Sequence, residues 1–418
     1  MRFQAPRGTE DVLPGESMRW VRLEDTFRQI CALYNYQEIR TPTFEDTALF
    51  VRLGESTDIV HKEMYTFLDR GQRSISLKPE GTAPAVRAYL EHSLGSTGQV
   101  TKLFYITPIF RYDRPQKGRY RESHQTGVEL FGTASPDADV EVIDLTARFY
   151  GELGIPQVRV KLNSIGGKDC RARYREALLD FARPALADMP AEFRERCERS
   201  PLRILDSKDE ELRKRIEGAP QISDFLEEDS RAHFEQVCER LRALNVDIEL
   251  ERRLVRGLDY YTRTVFEVHS KSLGAQSQLC GGGRYDNLVE ECGGPPTPAV
   301  GVAMGVERAL IALNAQGFQE PPMVFAVCLT DRLDDFARIV KSLRDANISL
   351  DTDPDRRSAK SQFRQADRSG ASLALAIGDQ ELASGSATLK HLRGGEEISA
   401  SFDDLAATIR RVIGVETA

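Results

Sequence analysis

The sequence lacks an uninterrupted hydrophobic run of about 18 residues, so it does not predict a membrane-spanning helix. Its N-terminus, MRFQAPRGTEDVLPG, lacks the apolar centre that a secretory signal peptide requires. Cysteine is sparse: the seven residues are widely spaced, without a CxxC pair or a cysteine–histidine quartet at zinc spacing. These absences favour a cytoplasmic protein with reduced thiols and without a dedicated protein metal site.

An excess of positive charge is also missing, because the formal net charge is −8. Nucleic-acid binding would therefore depend on a local basic patch. Neither glycine-rich stretch, at residues 281–286 and 301–310, fits a Walker A loop or a dinucleotide fingerprint. A bound nucleotide would accordingly be held by arginine side chains and not by a P-loop.

Composition and periodicity divide the 418 residues into three parts. Residues 168–245 are rich in charge and poor in strand-forming residues, and we interpret them as a helical insertion. The strand-rich parts on either side, 1–167 and 246–320, are predicted to form one domain. After a proline-containing linker, residues 321–418 alternate between strand and helix patterns, which predicts a small α/β domain with a mostly parallel sheet.

The segment from Arg256 to Tyr261, RGLDYY, combines a guanidinium, a carboxylate and two phenols before an alternating strand pattern. A guanidinium is permanently charged and donates through a planar fork, which suits a carboxylate or a phosphate. The alternative is a surface loop in which Arg256 pairs with Asp259, an interaction that would contribute little to stability. The residues alone do not decide between these interpretations.

A second cluster places four arginines and one lysine within residues 111–121, interrupted by proline and glycine. These charges can converge on a triphosphate or a nucleic-acid backbone, and Tyr112 and Tyr120 can stack on bases. The alternative is a solvated basic turn. Mutual repulsion among five cations favours a bound anion.

Two smaller groups of polar residues complete the set. Glu80 stands beside a glycine at a predicted strand-to-helix junction, where it can bind an ammonium group or simply cap the helix. Gln125 and Glu129 are four residues apart in a predicted strand, and therefore share one face. Together they offer an amide and a carboxylate to one polar ligand.

These clusters, in their order along the chain, resemble those of histidyl-tRNA synthetases, a family of class II aminoacyl-tRNA synthetases. Pro42 with residues 53–65, residues 111–129 and residues 305–308 are similar to the three class II motifs. RGLDYY and GGRYD (282–286) are similar to two motifs peculiar to histidyl enzymes, and residues 360–363 and 376–382 to the anticodon-binding domain. One departure is Ser123, where the resemblance implies an aromatic residue.

The resemblance implies an α+β fold in which an antiparallel sheet is flanked by helices. It makes residues 1–167 and 246–320 the class II catalytic domain and 321–418 an anticodon-binding domain. It also implies a homodimer formed through the first motif. The implied substrates are ATP, L-histidine and the histidine tRNA, and Mg²⁺ would accompany ATP.

The resemblance also implies site residues. Arg256 and Arg111 would be catalytic. The histidine-binding residues would be Glu80, Thr82, Arg111, Gln125, Glu129, Arg256, Tyr260, Tyr261 and Tyr285. The ATP-binding residues would be Arg111, Asp113, Arg119, Arg121 and Arg308. The acceptor end of tRNA would contact Arg114 and Gln116, while Glu129 and Tyr261 would face the imidazole.

Two alternatives share much of this pattern. One is a synthetase-like regulatory subunit of histidine biosynthesis, but such proteins usually lack the tail domain and the intact RGLDYY segment. The other is a class II synthetase for a different amino acid, which the pairing of Glu129 with Tyr261 disfavours.

Overall fold

A computed structural model describes residues 3–52, 62–115, 118–199, 201–205, 210–256, 260–313 and 323–414. The chain divides into two compact units, residues 1–318 and 319–418. No helix in the described ranges combines the length and the apolar character needed to cross a membrane.

The first unit combines helices and strands along its whole length. Its described helices are α1 (Ser17–Leu33), α2 (Thr47–Val51), α3 (Thr82–Glu91), α4 (Pro136–Glu152), α5 (Lys168–Leu186), α6 (Ala191–Arg199), α7 (Glu210–Arg215), α8 (Glu228–Ala243), α9 (Leu288–Glu291) and α10 (Val306–Leu313). Its described strands are β1 (Gln37–Glu38), β2 (Phe44–Asp46), β3 (Thr66–Leu68), β4 (Ser74–Leu77), β5 (Thr101–Phe110), β6 (Glu122–Phe131), β7 (Val158–Ser164), β8 (Ile248–Leu250), β9 (Thr262–Ser270), β10 (Gln278–Arg284) and β11 (Ala299–Gly305).

An eight-stranded sheet forms the centre of this unit, in the order β1-β5-β6-β11-β10-β9-β7-β8. The strands from β5 to β7 pair antiparallel, and one parallel pair stands at each edge. The expected antiparallel sheet flanked by helices is therefore confirmed. Because β6, β11 and β10 are neighbours, residues far apart in the sequence meet at the middle of the sheet.

Helix α1 covers this sheet as its apolar spacing predicts. Leu23, Phe27 and Ile30 recur at steps of three and four and are buried. The ring of Phe27 contacts Phe104 of β5 and Phe149 of α4 edge-on, at centroid distances of 5.7 and 5.1 Å. Helices α1 and α4 thus share one hydrophobic core with the central strands.

The predicted insertion contains helices of two kinds. Residues of α5, α6 and α7 form a small hydrophobic cluster of their own, which includes Leu186, Cys197 and Leu212. Helix α8 instead contributes Val237 and Leu241 to the core of the central sheet. The assignment of 168–245 as a separate domain stays a prediction.

The second unit is an α/β domain. Its described helices are α11 (Leu333–Asp345), α12 (Ala359–Arg368), α13 (Asp379–Ser384) and α14 (Leu405–Ile413). Its described strands are β12 (Val324–Leu329), β13 (Leu350–Thr352), β14 (Leu373–Gly378), β15 (Ser386–His391) and β16 (Glu397–Ser401). The sheet order is β13-β12-β14-β15-β16, in which β13, β12 and β14 are parallel and β15 and β16 are added antiparallel.

Candidate active site

A buried carboxyl group lies at the centre of the large sheet. Glu129 of β6 is 0% exposed, and it pairs in register with Gly301 of β11. The hydroxyl of Tyr105 donates to Glu129 Oε1 at 3.1 Å, and the hydroxyl of Tyr285 donates to Oε2. Two phenols therefore fix both oxygens of a carboxyl group that has no contact with bulk water.

Glycines on the neighbouring strands make room for these side chains. A β-carbon on Gly301 would lie 1.8 Å from Glu129 Oε2. The ring of Tyr105 is close to both Gly81 and Gly127, where β-carbons would lie 2.3 and 2.4 Å from ring atoms. A side chain at any of these three positions would displace a polar group of the pocket.

Burial raises the pKa of Glu129 to about 8, although hydrogen bonds from Tyr285, Thr82 and Tyr105 act in the opposite direction. The unfolded chain loses this proton at about pH 4.3. Between these pH values the folded state holds a proton that the unfolded state has lost, so stability falls as the pH rises.

This linkage predicts a pH-dependent difference between the wild type and Glu129→Gln. We expect the melting temperature of the wild type to fall by at least about 2 °C more than that of the variant between about pH 5.5 and pH 8.5. Differential scanning fluorimetry across that range measures both. Parallel curves would contradict the raised pKa.

Three tyrosines line the pocket around this carboxyl group. Tyr260, Tyr261 and Tyr285 are buried, with ring centroids 4.8 Å apart for the first two and 5.8 Å apart for Tyr260 and Tyr285. The hydroxyl groups that contact Glu129 belong to Tyr285, Thr82 and Tyr105. The predicted partnership of Glu129 with Tyr261 on an imidazole stays a prediction.

Glu80 and Thr82 stand at the N-terminus of α3. The carboxyl group of Glu80 accepts hydrogen bonds from the amides of Thr82 and Ala83 at 2.9 and 2.7 Å. Glu80 therefore caps the helix. Burial raises its pKa against the opposing effect of these amides. Each oxygen keeps a further lone pair, so the cap remains compatible with binding an amino group.

Gln125 stands on the same strand face as Glu129, as the spacing predicts. Its side-chain oxygen is buried and accepts no hydrogen bond within the described residues. A buried amide oxygen without a donor is costly. The atom is therefore available to a ligand that carries an N–H group.

Arg256 lies beside β9 and β10. Its Nη1 donates to Glu267 Oε1 at 2.5 Å, and its guanidinium stands 5.8 Å from the centre of the Tyr261 ring. A β-carbon on Gly281 would lie 2.3 Å from Nη1. Burial acts to lower the pKa of Arg256, but Tyr261 and Glu267 outweigh it and raise it overall. Asp259, the alternative partner, lies outside the described residues.

The Nε atom of Arg256 is buried and has no hydrogen-bond partner among the described residues. One edge of the guanidinium is thus fixed by Glu267, while another donor is left for a ligand. This arrangement suits an anion more than a purely structural ion pair.

Arg111 and Arg308 add two more cations. Arg111 Nε donates to the carbonyl of Pro79 at 2.7 Å, and Arg308 Nη1 donates to that of Gln278 at 2.6 Å. Burial lowers the pKa of both, and the positive charge of Arg119 lowers each further. Arg119 is thus within electrostatic range of both Arg111 and Arg308, and such a group of cations favours a multiply charged anion.

The remaining residues of the basic loop have local partners. Asp113 accepts from the amide of Arg114 at 2.6 Å and pairs with Arg119 at 3.4 Å. The guanidinium of Arg121 stacks 4.1 Å above the centre of the Tyr112 ring. Arg114 is exposed, and Gln116 lies outside the described residues.

The GGRYD segment supplies both a pocket residue and its support. Arg284 is completely buried and donates from Nε to Asp139 Oδ2 at 2.7 Å and from Nη1 to Asp286 at 3.0 Å. His233 of α8 pairs with the other oxygen of Asp139 at 3.2 Å. This network anchors the residue directly before Tyr285, and so holds the phenol that contacts Glu129.

Comparison with known proteins identifies the family. The sequence matches the family model of histidyl-tRNA synthetase over residues 8–309 and that of the anticodon binding domain over residues 323–412. The chain belongs to the histidyl-tRNA synthetase family. Within this family, the histidine–tRNA ligase of Acetivibrio thermocellus is 45% identical over 98% of this chain and 100% of its own length.

Two further comparisons support the same family. The histidine–tRNA ligase of Synechococcus elongatus is 50% identical over 94% of this chain and 92% of its own length. The crystal structure of apo histidyl-tRNA synthetase from S. aureus is similar with a TM-score of 0.81 at 38% identity, covering 97% of this chain and 99% of that chain. The predicted family and fold class are confirmed.

Sequence reasoning missed several residues of this histidyl-tRNA synthetase pocket. The sequence around Tyr105 predicts an ordinary strand. The one indication that Tyr105 belongs to the pocket is the small residue opposite it, Gly127, and this pairing is known only once the strand register is known. The sequence gives Asp139 no feature that distinguishes it from a solvent-facing helix residue, yet it is buried against Arg284.

Proposed function

We propose that the chain attaches L-histidine to the 3′-terminal ribose of the histidine tRNA in two steps, with histidyl-adenylate as the intermediate. The observation that carries the proposal is the buried carboxyl group of Glu129, held by Tyr105 and Tyr285. Tyr260 is within electrostatic range of both this carboxyl group and Arg111. A carboxyl group held by two phenols suits a small polar ring, and a group of arginines suits a polyphosphate.

Recognition of histidine follows from the chemistry of its side chain. Neutral imidazole carries one donor and one acceptor. Glu129 supplies one complementary group and Tyr261 the other. An amino acid without these ring nitrogens leaves two buried polar groups unpaired, which costs about 10⁴-fold in discrimination. Glu80, Thr82 and Gln125 are the proposed partners of the substrate amino group, and Tyr260 completes the wall of the pocket.

The triphosphate of ATP is the proposed occupant of the arginine group. Arg111 would hold the α-phosphate and the carboxylate end of histidine, and Arg308 the γ-phosphate with help from Arg119 or Arg121. Asp113 would face the adenine amino group. The positive charge of Arg119 lowers the pKa of both Arg111 and Arg308, which supports this, because an anion relieves the repulsion.

In the first step the histidine carboxylate attacks the α-phosphorus and pyrophosphate leaves. Negative charge grows on the α-phosphate oxygens, and Arg256 would stabilise it. Since Glu267 and Gly281 already fix this guanidinium, little reorganisation is needed in the transition state. In the second step the histidyl group moves to the terminal ribose hydroxyl of tRNA.

Mg²⁺ is proposed to enter with ATP. The described residues contain no group of three or more histidine, cysteine, aspartate or glutamate side chains that could hold a metal ion. Mg²⁺ commonly binds phosphate oxygens and water with few protein ligands. A pocket with few carboxylates among its described residues therefore fits a cation carried by the nucleotide. When bound, it would neutralise charge on the β- and γ-phosphates. Chelation should abolish pyrophosphate exchange, and added Mg²⁺ should restore it.

Recognition of tRNA is proposed to involve both units. Arg114 and Gln116 would meet the acceptor end. In the second unit, α12 exposes Lys360, Arg364 and Arg368, which form a basic face suited to the anticodon arm, although a solvated helix face has the same composition.

A shortened chain ending near Gln319 should separate the two steps. We expect it to form histidyl-adenylate at a rate within about threefold of the full chain, because the first unit has its own core. Charging of tRNA should fall by at least about tenfold, since the basic face of α12 is lost. Pyrophosphate exchange and aminoacylation measure the two steps. Equal charging by both chains would assign the second unit another role.

A homodimer is proposed from the resemblance, and one surface supports it. The small antiparallel sheet β2-β4-β3 exposes Phe44, Phe67 and Leu68. Such apolar side chains on one small sheet are typical of an interface. We expect sedimentation to give a dimer, and Phe67→Asp to weaken it. A monomeric wild type would exclude this proposal.

The cytoplasm is the proposed location. Among the described residues no two cysteines form a disulfide, which is compatible with a reducing compartment. Cell fractionation with an antibody to the chain tests it, and recovery in a secreted fraction would overturn it.

The decisive experiment for the activity is ATP–pyrophosphate exchange with each of the twenty amino acids in turn. Histidine alone should support rapid exchange. Histidine binding without exchange would favour the regulatory alternative. Preference for another amino acid would overturn the assignment.

A further inference from the structure

A hydrogen bond joins residues 168–226, called the helical segment below, to the tyrosines of the pocket. Arg171, in the first turn of α5, donates from Nη1 to the carbonyl of Tyr261 at 2.7 Å. On the same helix, Cys170 and Tyr174 pack in the hydrophobic cluster that includes Tyr260 and Tyr261. The first turns of α5 therefore form the outer support of the pocket wall.

A second connection holds the residues that follow Tyr261. Arg263 Nη2 pairs with Asp229 of α8 at 2.7 Å. The backbone of Arg263 has a φ of 48°, in the left-handed region that costs energy for a bulky residue. Its amide donates to the carbonyl of Gly166 at 2.9 Å, and its carbonyl accepts from the amide of Ile165 at 2.8 Å. This unfavourable conformation is thus fixed by the chain entering and leaving the helical segment.

The entry and the exit of the segment are also joined to each other. Glu227, directly before α8, accepts from the amides of Cys170 and Gly167 at 2.8 and 3.5 Å. Gly166 has a φ of 62°, and a β-carbon there would lie 2.4 Å from the sulfur of Cys170. The two ends of the segment consequently form one support for residues 261–263.

We propose that Arg171 is a positioning residue for histidine recognition, through which the helical segment sets the place of Tyr261 in the pocket. This inference rests on the proposed function and extends it to a residue outside the pocket. A charged donor on the Tyr261 carbonyl fixes the peptide from which the ring projects. A displacement of α5 therefore changes the affinity for histidine, whereas the arginines that surround the proposed ATP site are left in place.

The test is Arg171→Met in the full chain, measured by ATP–pyrophosphate exchange at varied histidine and varied ATP. The KM for histidine should rise about tenfold, because a charge-assisted hydrogen bond is lost. The KM for ATP should change less than about twofold. Arg171→Lys should recover part of the loss, since lysine keeps a charged donor.

Arg173→Met is the matched control. Arg173 lies two residues further along α5, is exposed, and donates to the carbonyl of Phe225 at 3.0 Å, not to a backbone carbonyl of the pocket tyrosines. It should leave both KM values unchanged. If Arg171→Met raises the two KM values equally, or behaves like Arg173→Met, Arg171 has no positioning role.

Asp229→Ala provides a second variant if Arg171→Met does not fold. It removes the more exposed connection on the exit side, and should raise the KM for histidine about two- to threefold. An unchanged value would overturn the proposal. A wild-type chain that shows no histidine-dependent exchange would instead refute the proposed function, so the two failures are distinguishable.

Discussion

Replacing Arg256 by alanine is expected to lower ATP–pyrophosphate exchange by about 10²–10³-fold while histidine binding persists. The side chain is half-buried and is fixed by Glu267, and its buried Nε has no partner among the described residues. It can therefore stabilise charge that appears only as the α-phosphate reacts. Exchange kinetics measure the first effect, and calorimetry with histidine alone measures the second.

Two further variants make this prediction specific. Gly281→Ala should reproduce much of the loss without removing the charge, because the new β-carbon would lie 2.3 Å from Arg256 Nη1. Arg159→Ala is the control: Arg159 is exposed on β7 and pairs with Asp247 at 3.0 Å, so exchange should remain within about twofold. Unchanged exchange in Arg256→Ala would remove Arg256 from the proposed role.

The elements of the fold follow from the sequence where the pattern is local. The spacing of Leu23, Phe27 and Ile30 predicts the buried face of α1. In the second unit, the apolar strands β12 and β14 are predicted and are parallel neighbours. The antiparallel pair β15 and β16 was not predicted, because its short strands have few apolar residues. The antiparallel character of the large sheet came from the resemblance and not from periodicity, and the strand order came from neither.

The site is less accessible to sequence reasoning because its contacts are long-range. Local spacing places Gln125 and Glu129 on one face, but does not show that Gly301 is opposite Glu129. It offers Asp259 as a partner for Arg256, whereas Glu267, in the following strand, is the partner found. Such pairings depend on strand register, which is determined by the packing of the whole sheet.

The second large effect is expected from Gly301→Ala, which adds one methyl group beside the pocket. Its β-carbon would lie 1.8 Å from Glu129 Oε2 and 2.6 Å from the carbonyl of Val128. The carboxyl group must therefore leave the position in which Tyr105 and Tyr285 hold it. We expect kcat/KM for histidine in pyrophosphate exchange to fall by at least about 10²-fold, because buried polar groups lose their partners.

Gly151→Ala is the control for the general effect of adding a methyl group to a glycine. Gly151 is in α4, and a β-carbon there would meet no atom within 4 Å, so this variant should keep full activity. Glu129→Gln distinguishes the chemistry from the geometry, since it keeps the shape and replaces an ionisable carboxyl group by an amide. If Gly301→Ala retained wild-type kcat/KM while Glu129→Gln lost it, the carboxyl group would be needed but the fit against β11 would not. If both retained it, Glu129 would not be the group that recognises the imidazole ring.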